Sequence, residues 1–383
     1  MSNSTFYRHG KKYNCERNGA PYFRKSAVIG GKRRWFYGDG EKDAISKIEE
    51  AKLEANAGLD LDKRNTKVGT AFRHWLFNVK RVEVKASSFT RYEATYRNHI
   101  EVYPIVNMLL SKLDSATLQA HINYLYEDEE LSPSTIAETA KVWRMFLSWA
   151  MDEGFLTKNP SRNLSLPTTR ASKKTIEVFS PDERQKIMSY LAKGKYQYDT
   201  VIRLAFATGM RQGELLGLKW EDIYDGAIHV KRSTAMVTHI DKDGNRELSR
   251  EVWSTKTANS VRTIPISAET ERVLSEHKLK QKKFMFAHGY PQSEYVFTSS
   301  TGELIDARVF IRSYERMLTR AGVKYRKFHT IRHTFATEAI RRGVDVKDLQ
   351  MLLGHSDVAT TYIYVQSDDR SKREAIAKIG ALI

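Results

Sequence analysis

The sequence predicts a multidomain fold: a small N-terminal three-stranded β-sheet plus a helix, an all-α helical bundle, and a mainly α (α+β) domain with a small antiparallel sheet. Three observations predict it. β-forming residues flank a Gly30-Gly31 pair near the start, and apolar residues recur at helical spacing from Val68 to about Asn163. The last stretch runs as helices, then β-type segments, then helices again. At 383 residues the chain is also too long for one ordinary domain.

Residues 1–37 carry Arg8, Lys11, Lys12, Arg17, Arg24, Lys25, Lys32, Arg33 and Arg34 against the single acid Glu16. Tyr22, Phe23, Val28 and Ile29 before Gly30-Gly31, and Lys32 to Tyr37 after it, read as a hairpin, with Tyr7–Tyr13 as a third strand. A charged helix follows over Lys42–Ala57, stopped by Gly58. Aromatics interleaved with cations favour a folded basic sheet over a solvated tail. Arg24, Lys25, Lys32, Arg33, Arg34 and Trp35 are its candidate nucleic-acid contacts. Residues 59–67 (LDLDKRNTK) read as a polar linker.

In the bundle, Phe72, Trp75, Leu76 and Val79 share a helix face, as do Leu118, Ile122 and Leu125. Ile136, Ala140, Trp143, Leu147 and Ala150 form a longer stripe, started by Ser132-Pro133 and stopped at Gly154. A second linker, SLPTTRASKK, contributes Lys173 and Lys174 as further candidate contacts. Beyond it, Ser180-Pro181-Asp182-Glu183 is a capping box that opens the third domain. The boundaries expected are therefore 1–60, 66–165 and 175–383.

Charge narrows the partner. Lys and Arg total 63 against 46 acids, a formal +17, which points to a polyanion. The absence of an 18-residue apolar run and of a signal-peptide core argues against a membrane, so a cytoplasmic nucleic-acid protein is expected. The lone Cys15 excludes an intramolecular disulfide framework.

Four clusters of reactive residues lie in the third domain. Gly209-Met210-Arg211 ends one helix and begins the next, setting a guanidinium beside a helix N-terminus where a phosphate fits. Lys256 lies in Ser254-Thr255-Lys256-Thr257, in the β region upstream of Arg262. In His329-Thr330-Ile331-Arg332-His333, the first and fourth residues share a helix face. His329 and His333 could instead chelate zinc, but no Glu follows His329 and Arg332 between them opposes a metal's charge. Last, Gly354-His355 precedes Tyr364 by nine residues from the histidine.

In order, these motifs (ATGMRQGELLGLKWEDI, STKTANSVRTIPI, FHTIRHTFAT and LLGHSDVATTYIYV) resemble the catalytic domain of the tyrosine recombinases, or lambda integrase family. The resemblance covers about 175–383, with the bundle similar to that family's core-binding domain and the N-terminal piece to the arm-binding domain of phage and conjugative-transposon integrases. It implies six catalytic residues: Arg211, Lys256, His329, Arg332, His355 and the nucleophile Tyr364, chosen over Tyr362 by its offset from His355. It further implies strand exchange through a 3′-phosphotyrosyl link in a homotetramer on double-stranded DNA, at core and arm attachment sites. Neither a metal nor another cofactor is implied; a host DNA-bending protein and an excisionase are the implied partners. Rival readings are a type IB topoisomerase, a non-cleaving regulator on the same scaffold, and a metal-dependent nuclease.

Overall fold

Three two-residue turns build the N-terminal sheet. His9-Gly10, Asn18-Gly19 and Gly30-Gly31 all have positive φ, at 48° and 75°, 50° and 75°, and 60° and 76°. That is the backbone twist a tight hairpin needs. The structure, a computed structural model, describes residues 5–168, 176–194, 196–254 and 261–365. Lys173, Lys174, Lys256 and an amphipathic stretch expected over 369–383 lie outside the described residues.

Strands β1 (Phe6–Arg8) and β2 (Lys11–Tyr13) pair with each other, while β3 (Cys15–Arg17), β4 (Ala20–Ile29) and β5 (Lys32–Gly38) form the three-stranded sheet in that order. This corrects the expected third strand. The His9-Gly10 turn folds Tyr7–Tyr13 onto itself, and the Asn18-Gly19 turn sets Arg17 opposite Ala20, so Cys15–Arg17 takes the edge. The helix Glu41–Asn56 lies on β4 and β5 through Ala44, Ile48 and Ala51. Gly38 permits that approach, since a Cβ there would fall 2.4 Å from the Ala44 nitrogen.

Strand alternation divides the basic residues. Lys25, Lys32 and Arg34 share the helix-side face with Phe23 and Ile29, whereas Arg24, Arg33, Trp35 and Tyr37 occupy the open face. Lys32 and Arg34 both reach Asp62, at 2.5 and 2.6 Å. The Arg24 guanidinium lies 4.5 Å over the half-exposed Trp35 ring.

Residues 59–67 form a fastened connection instead of a free linker. The Asp60 nitrogen donates to the Gly154 carbonyl (2.8 Å), Lys63 to the Glu153 carbonyl (2.6 Å), and Arg64 pairs with Glu54 (3.1 Å). The bundle follows: Val68–His74 running on through a π turn (Trp75–Lys80), then Ala86–His99, Ser115–Glu127 and Pro133–Asp152. The π turn leaves Trp75, Leu76 and Phe77 all buried. Phe72 is the centre of the core, with the rings of Trp75, Tyr96, Trp143 and Phe146 at 4.3–5.4 Å. Ser132 caps the last helix as its sequence indicates, with Pro133 at the first position.

The chain divides into two compact units, Met1–Ser172 with Thr238–Glu247, and Lys173–Val237 with Leu248–Ile383. The internal segment belongs to the first unit because Ile240 joins the bundle core, Thr90 donates to the Thr238 carbonyl (2.7 Å), and Arg246 meets Glu93 (2.5 Å). It is the end of a hairpin, β8 (Arg232–Ile240) and β9 (Arg246–Ser254).

In the second unit, Ser180 and Glu183 close the expected capping box. A three-stranded antiparallel sheet, β10 (Arg262–Pro265), β7 (Ala227–Val230) and β6 (Ile223–Tyr224), is surrounded by helices whose core includes Ile202, Leu215, Phe310, Tyr314 and Ile331. Among the described residues no helix is long and apolar enough to cross a membrane.

Candidate active site

Three arginines converge on the end of one helix. Val346–Leu353 stops where Gly354 turns left-handed (φ 66°), leaving its last carbonyls without intrahelical partners. Arg262 Nε donates to Leu352 O (2.7 Å), Arg332 Nη2 to Leu353 O (2.7 Å), and Arg211 Nη2 to Gly354 O (3.1 Å). The negative end of the helix dipole suits these cations. One carboxylate completes the hub: Glu214, 3% exposed, receives Arg262 through both oxygens (3.0 and 2.8 Å) and Arg211 Nη1 at 2.9 Å. Three guanidiniums facing one carboxylate leave net positive charge, which a phosphodiester would neutralise.

Arg332 comes from the helix His329–Arg341, which packs on Asp199–Thr208. It is 2% exposed, and Nη1 donates to the Gly209 carbonyl at 2.9 Å. Its buried Nε has no hydrogen-bond partner among the described residues. Gly209 is required twice over. Its φ is +62°, and a Cβ would sit 2.5 Å from the Phe335 ring.

His355 follows the left-handed Gly354 and directs Nδ1 to the buried Thr361 hydroxyl at 2.8 Å. Tyr364, 3% exposed, packs with Ala336, Leu349 and Leu353, and its hydroxyl lies 2.8 Å from His333 Nδ1. Tyr362, by contrast, is 58% exposed. Only one of the two neighbouring tyrosines is therefore seated among the cations.

The site is built to hold its imidazoles neutral. Burial, reinforced by Arg332, Arg211 and Arg262, pushes His355 down to about 4. His329 is also pushed down to about 4, by partial burial of its ring and then by His333, Arg332 and Arg211. Burial raises the Tyr364 phenol above its ordinary value, with Arg332 and Arg211 opposing. Glu214 is held at about 2, because bonds from Arg262 and Arg211 outweigh the burial that would raise it.

A pH signature follows from His355. Its folded value lies below the unfolded 6.5, so the unfolded chain binds the proton first as pH falls. The His355 contribution to stability is full above pH 6.5 and is lost as pH falls from 6.5 toward about 4. Denaturant titrations at pH 7 and pH 4.5 measure this, and His355→Asn should make the decline smaller by the His355 share while the similarly lowered His329 and His121 keep theirs.

The structure thus gathers five of the six residues named from the sequence, Arg211, His329, Arg332, His355 and Tyr364, while Lys256 lies outside the described residues. It also places His333, not His329, on the tyrosine hydroxyl. Among the described residues no group of three or more candidate metal ligands is found. Glu214 and Thr361 did not stand out in the sequence, and His333 is legible there only as a possible zinc ligand. Arg262 carried one signal: it shares an inward strand face with Ile264, where a cation needs a buried partner.

Comparisons with known proteins show the family and the fold. Residues 177–371 match the model described as phage integrase family, and residues 72–166 the phage integrase SAM-like domain. A protein named tyrosine recombinase XerC-like, from Caldanaerobacter subterraneus subsp. tengcongensis, is 38% identical over 97% of this chain and 99% of its own length. Among solved structures, the Tn1549 transposon integrase with a circular intermediate DNA superposes with a TM-score of 0.68 at 19% identity, covering 82% of this chain and 99% of that one. A lambda integrase dimer bound to a core site gives 0.56 at 19% identity, over 97% of this chain and 96% of that one.

Proposed function

The chain belongs to the phage integrase family of tyrosine recombinases, and from that premise we propose that it is the integrase of a mobile element, cutting and rejoining DNA through Tyr364. The observation that carries the reading is the Tyr364 hydroxyl, buried beside guanidiniums that are already anchored. In this mechanism Arg211, Arg332 and His355 spread the charge of the pentacoordinate transition state over fixed donors. Tyr364 attacks phosphorus in line and leaves a 3′-phosphotyrosyl end. Lys256 protonates the departing 5′-oxygen. One phosphoester replaces another, so the energy balance asks for no nucleotide hydrolysis.

The reading extends to assembly. Arg24, Arg33 and Trp35, on the open face of the N-terminal sheet, contact arm-type sites. Lys25, Lys32 and Arg34 stand behind them, toward the helix. The units 1–60, 66–165 and 175–383 act as arm-binding, core-binding and catalytic domains, and four protomers form the synapse, with a DNA-bending protein and an excisionase setting direction. A second reading, a chromosomal recombinase, is favoured by the XerC-like name of the 38% identical relative.

Purified protein mixed with DNA carrying the junctions that flank its gene decides between these. We expect a denaturation-resistant protein–DNA adduct and recombinant junctions between two such sites. Recombination confined to a chromosomal site would support the second reading. Relaxation of supercoils without any site would support a topoisomerase, and chelator-sensitive cutting without an adduct would overturn the mechanism.

A further inference from the structure

We propose that His333 is the proton acceptor for Tyr364, taking the phenolic proton during strand cleavage and returning it during rejoining. The inference rests on the reading of Tyr364 as the nucleophile.

Geometry places it there. His333 Nδ1 is 2.8 Å from the Tyr364 oxygen, and among the described residues no other side chain hydrogen-bonds to that hydroxyl. A general base must lie within hydrogen-bond reach of the proton it removes. His329, one turn earlier on the same helix, meets the His333 ring edge to face at 4.7 Å and makes no such bond. His333 therefore stands between His329 and the nucleophile.

Its surroundings make it a usable base. Three groups face it: Arg332 and His329 on its own helix, and Tyr364 from the C-terminal segment. Among the described residues no carboxylate pairs with it. Burial and then Arg332 lower its affinity for a proton, so at neutral pH the ring is uncharged, and in the tautomer that carries its proton on Nε2 the Nδ1 lone pair accepts from the Tyr364 hydroxyl. Tyr364, raised by burial, keeps its proton until that lone pair takes it. A phosphodiester bound to Arg211 and Arg332 neutralises the charge that opposes an imidazolium. The base therefore strengthens when substrate arrives, and the free enzyme stays quiet.

The step balances. The proton passes from the Tyr364 oxygen to His333 Nδ1, the oxygen–phosphorus bond forms, the bond to the 5′-oxygen breaks, and that oxygen leaves with a proton from Lys256. In rejoining, a 5′-hydroxyl returns its proton to Lys256, attacks phosphorus, and displaces a tyrosine oxygen that recovers its proton from His333.

The test is single-turnover adduct formation on nicked DNA from about pH 5.5 to 9.5. It compares the wild type, His333→Gln, His333→Ala with and without imidazole, and Tyr364→Phe. Gln can hold the hydroxyl but cannot accept its proton. His333→Gln should be about 100- to 1,000-fold slower at pH 7, with a rate that climbs with pH as the phenol ionises by itself. Imidazole should restore part of the His333→Ala rate. Unfolding midpoints and DNA affinity close to wild type exclude a folding defect. A His333→Gln rate within twofold of wild type, or a slow variant with an unchanged pH profile and no imidazole rescue, would overturn the proposal. If the wild type forms no adduct, or Tyr364→Phe still forms one, the reading of the nucleophile falls and this inference with it.

Discussion

Tyr364→Phe is expected to bind DNA as the wild type does and to form no covalent adduct, a loss on the order of 10⁶-fold if it follows other nucleophile removals. Tyr362→Phe should form the adduct at a normal rate. The difference is one of placement. A free phenol with a pKa near 10 is only about 0.1% ionised at pH 7, a deficit of roughly 4 kcal/mol. Tyr362 is exposed, whereas Tyr364 is buried beside Arg332, Arg211 and the His333 ring nitrogen. Removing the hydroxyl breaks one partly buried hydrogen bond, worth about 1 kcal/mol, so the Phe variant should remain folded. The readout is a radiolabelled strand retained on protein after denaturation. Should Tyr362→Phe be the inactive variant instead, the offset of nine residues from His355 has selected the wrong side chain.

What could be read in advance follows from how local each constraint is. Turn dipeptides such as Asn18-Gly19 and the Ser180-Glu183 capping box act over a few residues, so their signals survive in one dimension. The ordered Arg, His-x-x-Arg, Gly-His and Tyr motifs were equally plain, because phosphoryl chemistry restricts residue type. The hub was not. Arg262 meets Glu214 across 48 residues and Leu352 across 90, while Arg211 reaches Gly354 across 143. No period or cap announces such pairings. The division of Arg33 from Arg34 was legible in principle, since alternation along β5 sends neighbours to opposite faces. In sequence, His333 is legible only as the i+4 partner of His329, a spacing that suits a chelator. Its partner hydroxyl, 31 residues away, supplies the missing information. The hairpin end at Thr238–Glu247 gave no sign that it packs with the bundle, because Ile240 alone carries the apolar contact.

Glu214→Gln is expected to destabilise the catalytic unit by about 3–5 kcal/mol, the usual result of removing one partner from a buried ion pair. Gln keeps one uncharged oxygen, so Arg262, 9% exposed, would lose one of its two carboxylate contacts to an NH2 donor, and Arg262 and Arg211 would be left with a neutral acceptor in place of a carboxylate. For a domain of this size, that corresponds to a fall of roughly 10 °C in Tm. The pH dependence identifies the cause. Glu214, held at about 2 in the folded state against an ordinary 4.5, contributes stability that is complete above pH 4.5 and lost as pH falls toward 2. The variant should lose the Glu214 share of that window while keeping the decline at higher pH to which His355 contributes. A second substitution separates stability from catalysis. Glu214→Leu with Arg262→Met removes the charge together with its partner, so much of the stability should return. Among the described residues the Arg211 side chain then keeps its bond to the Gly354 carbonyl alone, and adduct formation should stay about 100-fold down. Recovery of both properties would mean that Glu214 only balances charge. Recovery of stability alone would mean that the Glu214–Arg262 pair serves catalysis as well as folding, by aiming Arg211 or by supplying the Arg262 charge.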